Sequence, residues 1–161
     1  MRDEVDDLVE AWRRERGDLD LAPVEVFSRI SRLARHLDLA RRDAFTAHAI
    51  ESWEFDVLAA LRRAGQPYEL SPGRLLRETL VTSGTMTNRV DRLAGRGLVE
   101  RLPDPHDRRG VLVRLTADGK DAVDGAFEAL LAAEADLLAD LPDRDRTQLA
   151  GLLRSLLAPV S

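Results

Sequence analysis

Thr85, Asn88 and Arg92 recur at i, i+3 and i+7, the spacing that gathers side chains on one face of a helix. They are side-chain types that read base edges. An asparagine amide pairs bidentately with adenine and an arginine with guanine, from a helix lying in a major groove about 12 Å wide. Met86, Val90 and Leu93 form an apolar stripe on the opposite face. Ser83, Thr85 and Thr87 fall near the start of the same helix, where hydroxyls and unpaired backbone N–H groups donate to phosphate. A merely solvated helix face would explain the same polar pattern. The adjoining Pro103-Asp104-Pro105-His106-Asp107-Arg108-Arg109-Gly110 favours DNA contact instead. Its Arg108 and Arg109 stand at a tip placed to reach a minor groove or its phosphates, with Arg109 the preferred contact. Asp107 is expected to hydrogen-bond the turn or steady a neighbouring arginine, and His106 to be exposed and at most a phosphate contact.

The charge distribution fits that reading. The chain of 161 residues carries a formal charge of −5, which by itself argues against a polyanionic partner. Residues 71–116, however, hold nine arginines against five acids, a net of +4, leaving −9 for the remainder. An acidic body with one basic segment keeps a protein dispersed while offering one face to nucleic acid. Basic residues are 23 arginines and the single Lys120.

Several elements are needed to hold these residues. The spacing of Val5, Leu8, Val9 and Trp12 predicts a first helix ending at Gly17, and Pro23 opens a second with the stripe Val26, Ile30, Leu33 and Leu37, running on to Phe45. A third helix from Ser52 to about Ala64, closed by Gly65 and Pro67, is apolar around most of its circumference and should be buried on more than one side. Ser71-Pro72 caps and starts a short helix through Leu75, Leu76 and Thr79. A turn at Val81-Thr82-Ser83-Gly84 leads into the helix of Met86, Val90 and Leu93, closed by Gly95 and Gly97, which completes a helix-turn-helix. The period then changes to two. Leu98–Leu102 and Val111–Leu115 predict a β-hairpin around the arginine-bearing tip. Thr116 caps a long helix bearing Val123, Phe127, Leu130, Leu131, Leu137 and Leu138, and a last helix follows Pro142 with Leu149, Leu152, Leu153, Leu156 and Leu157 on one face.

The fold class is therefore mainly α with a small β-hairpin wing. It reads as a single domain over 1–161, with a winged helix-turn-helix at 49–116 between terminal helices at 1–48 and 117–161. The terminal helices have apolar faces without an evident partner in the chain, and a second subunit is the expected cover. With no cysteine, thiolate metal sites, disulfides and thiol-based sensing are excluded. No signature of a hydrolase, a metalloprotease, a P-loop or a dinucleotide site occurs, so no enzymatic activity and no cofactor are expected. His48 and Glu51, three apart, are too few for a metal site, and His48 reads as structural. An acidic start without a secretory pattern and the absence of an 18-residue apolar run predict a cytoplasmic protein with no membrane association.

Leu98-Val99-Glu100-Arg101, Asp104 through Val111 and Leu115-Thr116-Ala117-Asp118-Gly119 together resemble the wing of the MarR family of bacterial transcription regulators, and the order of elements fits across essentially the whole chain. Glu54 through Gly65, Thr82 through Arg89 and the extra N-terminal helix bearing Trp12 are similar to the urate-responsive branch of that family. The resemblance implies a homodimeric regulator, more often a repressor, whose operator is a pseudo-palindromic duplex. It also implies a small anionic effector, urate or a related purine or carboxylate, in a pocket lined by or coupled to Trp12, Asp56, Arg89 and Arg101.

The residues themselves admit other readings. Arg89 falls roughly 60° from the centre of its helix's apolar stripe, so it wants either an internal carboxylate such as Asp56 or a bound anion. Asp56 is either a surface carboxylate or, if buried, one that must be paired or carry a raised pKa. Trp12 serves packing or, through its indole N–H, a ligand. The rival function is a winged-helix protein–protein adaptor without sequence-specific DNA binding, which would show exposed apolar residues at positions 85, 88 and 92.

Overall fold

The structure, a computed structural model, describes residues 2–79, 81–105 and 107–159; His106 and the side chains of Arg108 and Arg109 lie outside the described set. Among the described residues seven helices and three strands follow one another: α1 (Glu4–Glu15), α2 (Ala22–Ala47), α3 (Ser52–Arg63), β1 (Glu69–Leu70), α4 (Pro72–Thr79), α5 (Ser83–Gly95), β2 (Val99–Asp104), β3 (Asp107–Leu115), α6 (Ala117–Leu137) and α7 (Asp143–Leu157). The chain divides between residues 40 and 41, inside α2, into two compact units.

The first unit has a small core of Val5, Val9 and Leu21, with Val24 against it. So few apolar contacts leave much of the docking to charge. Arg29 reaches Asp3 at 2.8 Å and Asp6 at 2.7 Å, Arg32 reaches Glu4 at 2.6 Å, and Arg13 reaches Glu25 at 3.3 Å. The Asp3 side chain also accepts from the Val5 and Asp6 N–H groups, which caps α1. Val26 and Leu33 of the α2 stripe are exposed rather than packed, as are Phe27 and Leu39.

The second unit holds the main core. α3 supplies Phe55, Val57, Leu58, Ala59, Ala60 and Leu61 to it, which is the burial on several sides that its composition predicts. Gly65, at φ 76, ends that helix in the left-handed region open to glycine. Leu75 of α4, Met86, Val90 and Leu93 of α5, and Val123, Ala126 and Leu130 of α6 complete the core with the inward residues of the sheet.

That sheet is larger than the expected hairpin. β1 pairs with β3 through Glu69↔Arg114 and Leu70↔Val113, giving the antiparallel order β1-β3-β2. The strands of the hairpin also run further than predicted, to Asp104 and from Asp107, with a register irregularity at Pro103/Asp104. Pro103 has no N–H for a ladder, and a bulge at a strand end is where a proline is tolerated. Thr116 caps α6 as its position implies, accepting from Gly119 N and donating to Gly97 O at 2.7 Å. Gly119 touches the wing so closely that a Cβ there would run into the Leu98 carbonyl.

Candidate nucleic-acid interface

α5 begins two residues earlier than the expected turn allows: Ser83 and Gly84 are already helical, and Thr82 is the N-cap, accepting from Thr85 N. The helix sinks Met86, Val90 and Leu93 completely, and Ser83, Thr85, Thr87, Asn88 and Arg92 are all exposed. The hydroxyls are not equivalent. Thr87 Oγ1 donates back to Ser83 O at 3.2 Å, and Thr82 and Thr85 share a hydrogen bond at 2.9 Å. Thr85, Asn88, Arg89 and Arg92 line one shallow pocket with Gly84 and Trp53.

Trp53 was not foreseen as part of this face. It comes from the start of α3, and both cations of α5 lie over its ring, Arg89 at 5.5 Å and Arg92 at 4.6 Å from the centroid. Cation–π geometry of this kind holds a guanidinium in place without neutralising it. Glu51 adds the edge contact, accepting from Arg92 Nη2 at 2.9 Å and from Trp53 Nε1 at 2.8 Å. Its engagement there also removes Glu51 from any pairing with His48, whose ring instead packs against Gly125 of α6.

One carboxylate under this face is buried. Glu54, 1% exposed, receives Arg96 from just beyond α5 and the Glu51 N–H at 2.9 Å. Arg96 also donates to Ala49 O at 2.6 Å, gripping a residue that itself sits at φ 54. A buried charge must be paired and hydrogen-bonded, and here the pairing ties the end of α5 to the start of α3. The sequence signal was present as Glu51-Ser52-Trp53-Glu54, acids bracketing an aromatic at a helix start, but nothing in it names the arginines that answer.

The four residues assigned to an effector are placed as follows. Asp56 does not meet Arg89. Its neighbour is Arg41 at 3.7 Å, and it lines a separate pocket of about 290 Å³ with Arg41, Phe55, Ala59, Arg63, Glu78 and Thr79. Of the two partners left open for Arg89, the internal carboxylate Asp56 is not the one it meets: α2 delivers a cation to Asp56, and Arg89 turns to the Trp53 ring. Asp56 is half-exposed, so burial does not force a partner on it. Arg101 of β2 pairs with Asp91 of α5 at 2.7 Å, which links the wing to the recognition helix. Trp12, in the first unit, is 49% exposed and stays out of that unit's small core.

The MarR family model matches residues 50–110, the segment from the start of α3 through the wing. Over 150 residues the chain is 37% identical to the HTH-type transcriptional regulator PecS of Dickeya dadantii, a match covering 93% of this chain and 90% of PecS. The chain belongs to the MarR family. A mutant Escherichia coli MarR complexed with operator DNA superimposes with a TM-score of 0.71 at 28% identity, covering 85% of this chain and 96% of that one. Bordetella bronchiseptica BpsR, whose structure concerns regulation of DNA binding by 6-hydroxynicotinic acid, matches with a TM-score of 0.60 at 26% identity, over 80% of this chain and 98% of BpsR. As a MarR-family winged helix, the chain is a DNA-binding transcription regulator and not an enzyme. Among the described residues no helix is long and apolar enough to cross a membrane.

Proposed function

We propose that the protein is a homodimeric, cytoplasmic repressor that binds a pseudo-palindromic operator and is released by a small anion. The observation that carries the reading is α5 itself, with three buried apolar anchors on one face and Thr85, Asn88 and Arg92 outward on the other. Two such helices in one dimer enter successive major grooves, about 10 bp apart. Arg108 and Arg109 at the wing tip supply the minor-groove or phosphate contacts, and Ser83, Thr85 and Thr87 the phosphate contacts at the helix start. The adaptor alternative loses its support, because positions 85, 88 and 92 are polar and family membership brings DNA binding with it.

The dimer reading rests on the apolar faces left open. On α7 no residue is buried, and Leu149, Leu152, Leu153, Leu156 and Leu157 are all exposed, as are Phe127 and Leu131 of α6. Exposed apolar area of this extent marks an interaction surface, and for terminal helices of a MarR-type chain a second copy is the natural cover.

The effector reading rests on Arg89. It is half-buried, it shares a rigid helix with Asn88 and Arg92, and its contact is a neutral indole rather than a carboxylate. A bound anion that draws Arg89 away shifts the base readers with it, and Arg101 through Asp91 extends the shift to the wing. Trp12 enters the reading by resemblance alone, as does Asp56, which lines the separate pocket with Arg41, and the acid that regulates BpsR is of the proposed class. Such a ligand acts only by its preference for the released state, about 1.4 kcal/mol for each tenfold shift of the operator-binding equilibrium. The experiment is selection of an operator from random duplexes, followed by titration of urate and small carboxylates against the preformed complex. Release of wild type, with resistance in Arg89→Ala and Trp12→Phe, is the expected result. Equal release of all three moves the effector site elsewhere, and no release of wild type by any anion removes the effector reading while leaving DNA binding intact.

A further inference from the structure

Arg92, one of the base-reading candidates, is exposed to solvent but already partnered. Its guanidinium lies 4.6 Å from the centre of the Trp53 ring, and its Nη2 donates to Glu51 Oε1 at 2.9 Å. The second carboxylate oxygen of Glu51 is engaged by Trp53 Nε1 at 2.8 Å. The carboxylate is thus oriented by the same indole over which the guanidinium rests. Glu51 has no part in the core. Its side chain is 59% exposed and that of Arg92 55% exposed, so burial does not force the pair together, and it stands on the face that meets DNA.

We propose that Glu51 is a specificity-determining residue, occupying Arg92 in the unbound protein and yielding it to guanine in preference to phosphate. The inference rests on the reading of Arg92 as a base reader. Non-specific binding is carried by cations that displace counterions from the phosphate backbone, and a carboxylate bonded to Arg92 removes one cation from that set. Exchanging the carboxylate for a phosphate trades one anion for another with little gain. Guanine offers two aligned acceptors, O6 and N7, where Glu51 gives Arg92 one bond. The exchange is therefore favourable at the right base and near-neutral elsewhere. Trp53 keeps the guanidinium plane in position throughout, because a cation–π contact is indifferent to which acceptor holds the edge.

The test compares wild type, Glu51→Gln, Arg92→Ala and the double variant on two duplexes, a selected operator and a scrambled sequence, across a series of salt concentrations. Glu51→Gln keeps the shape and removes the charge. It is expected to tighten binding to the scrambled duplex by roughly two- to fivefold per protomer, the range spanned by exposed ion pairs, and to change operator affinity by less. The salt dependence on the scrambled duplex should steepen by about 0.9 for each arginine released. Both effects should vanish in the double variant. Equal tightening on both duplexes, or tightening that persists without Arg92, overturns the proposal by showing that the charge of Glu51 acts at a distance. No change on either duplex overturns it as well. Glu51→Asp, which keeps the charge but withdraws it by one methylene, is the second variant and should give an intermediate specificity ratio. An Arg92→Ala protein with unchanged operator preference defeats the base-reader reading itself, a result recognisable without any Glu51 variant.

Discussion

α5 and α7 are amphipathic helices of similar length, 13 and 15 residues, and the chain uses them in opposite ways. α5 hides its apolar stripe entirely and shows solvent a polar face. α7 hides nothing and shows solvent its leucines. Amphipathicity alone therefore does not say which face does the work. In α5 the apolar side is the anchor and the polar side the instrument. In α7 the apolar side lies open, and on the proposed reading it is the surface a second copy covers. On that reading the same contrast separates two kinds of stability, one set inside the chain and one set by association.

The largest effect that sharpens this contrast is expected from Leu93→Ala. Leu93 is fully buried, and removing a leucine side chain from a packed core costs about 2 to 5 kcal/mol. Urea unfolding should show that loss at every protein concentration. Leu152→Asp on α7 should instead act through association, raising the homodimer dissociation constant by at least about thirtyfold, or about 2 kcal/mol, in analytical ultracentrifugation. A dissociation constant unchanged by Leu152→Asp would remove α7 from the dimer contact.

On the polar face the effects are smaller and separable. Asn88→Ala or Arg92→Ala should each weaken a selected operator by about 1 to 3 kcal/mol and relax sequence preference. Arg109→Ala should weaken all duplexes alike and lower the salt slope by about 0.9 per lost phosphate contact. Intact operator preference in both α5 variants would mean that another face of the helix reads the groove.

The smallest effect is electrostatic and confined to the first unit. The Arg29 guanidinium, helped by the Asp6 and Val5 N–H groups, holds the Asp3 carboxyl at about 2, below its ordinary 3.8. A lowered folded-state value stabilises above the unfolded one and is lost as the pH falls through the folded one. The docking of α1 should therefore be undisturbed above about pH 4 and loosen between about pH 4 and pH 2, by little, since the pair is exposed and screened. Amide hydrogen exchange in α1 over that range checks it, and Asp3→Asn should remove that part of the pH dependence.

Much of the architecture was legible because its signals are local. The Ser71-Pro72 start, the Gly65 stop, the Thr116 cap and the apolar stripes of α3 and α5 each lie within a few residues of the element they define. β1 was not legible, since two residues cannot show a period of two, and Glu69–Leu70 becomes a strand only because β3 has an open edge. The hairpin was drawn too short because Pro103 reads as a turn residue, whereas the structure accommodates it at a register irregularity. On the candidate site, the outward set Thr85, Asn88 and Arg92 follows from helical spacing. The partners do not: Asp56 with Arg41, Glu54 with Arg96 and Arg92 with Glu51 join residues 15 to 42 positions apart, and spacing within one helix carries no information about them.

The close seat of Gly119 on the Leu98 carbonyl would make the start of α6 the fulcrum of any tilt of that helix. α6 has 21 residues and is about 31 Å long, so a pivot of about 5° at Gly119 carries its far end through about 3 Å, while the wing strand beside the pivot moves by a fraction of that. Were the leucine-bearing end displaced, the same leverage would reach Leu98, three residues from the end of α5, as a far smaller movement. A residue with any side chain at position 119 would wedge that joint apart.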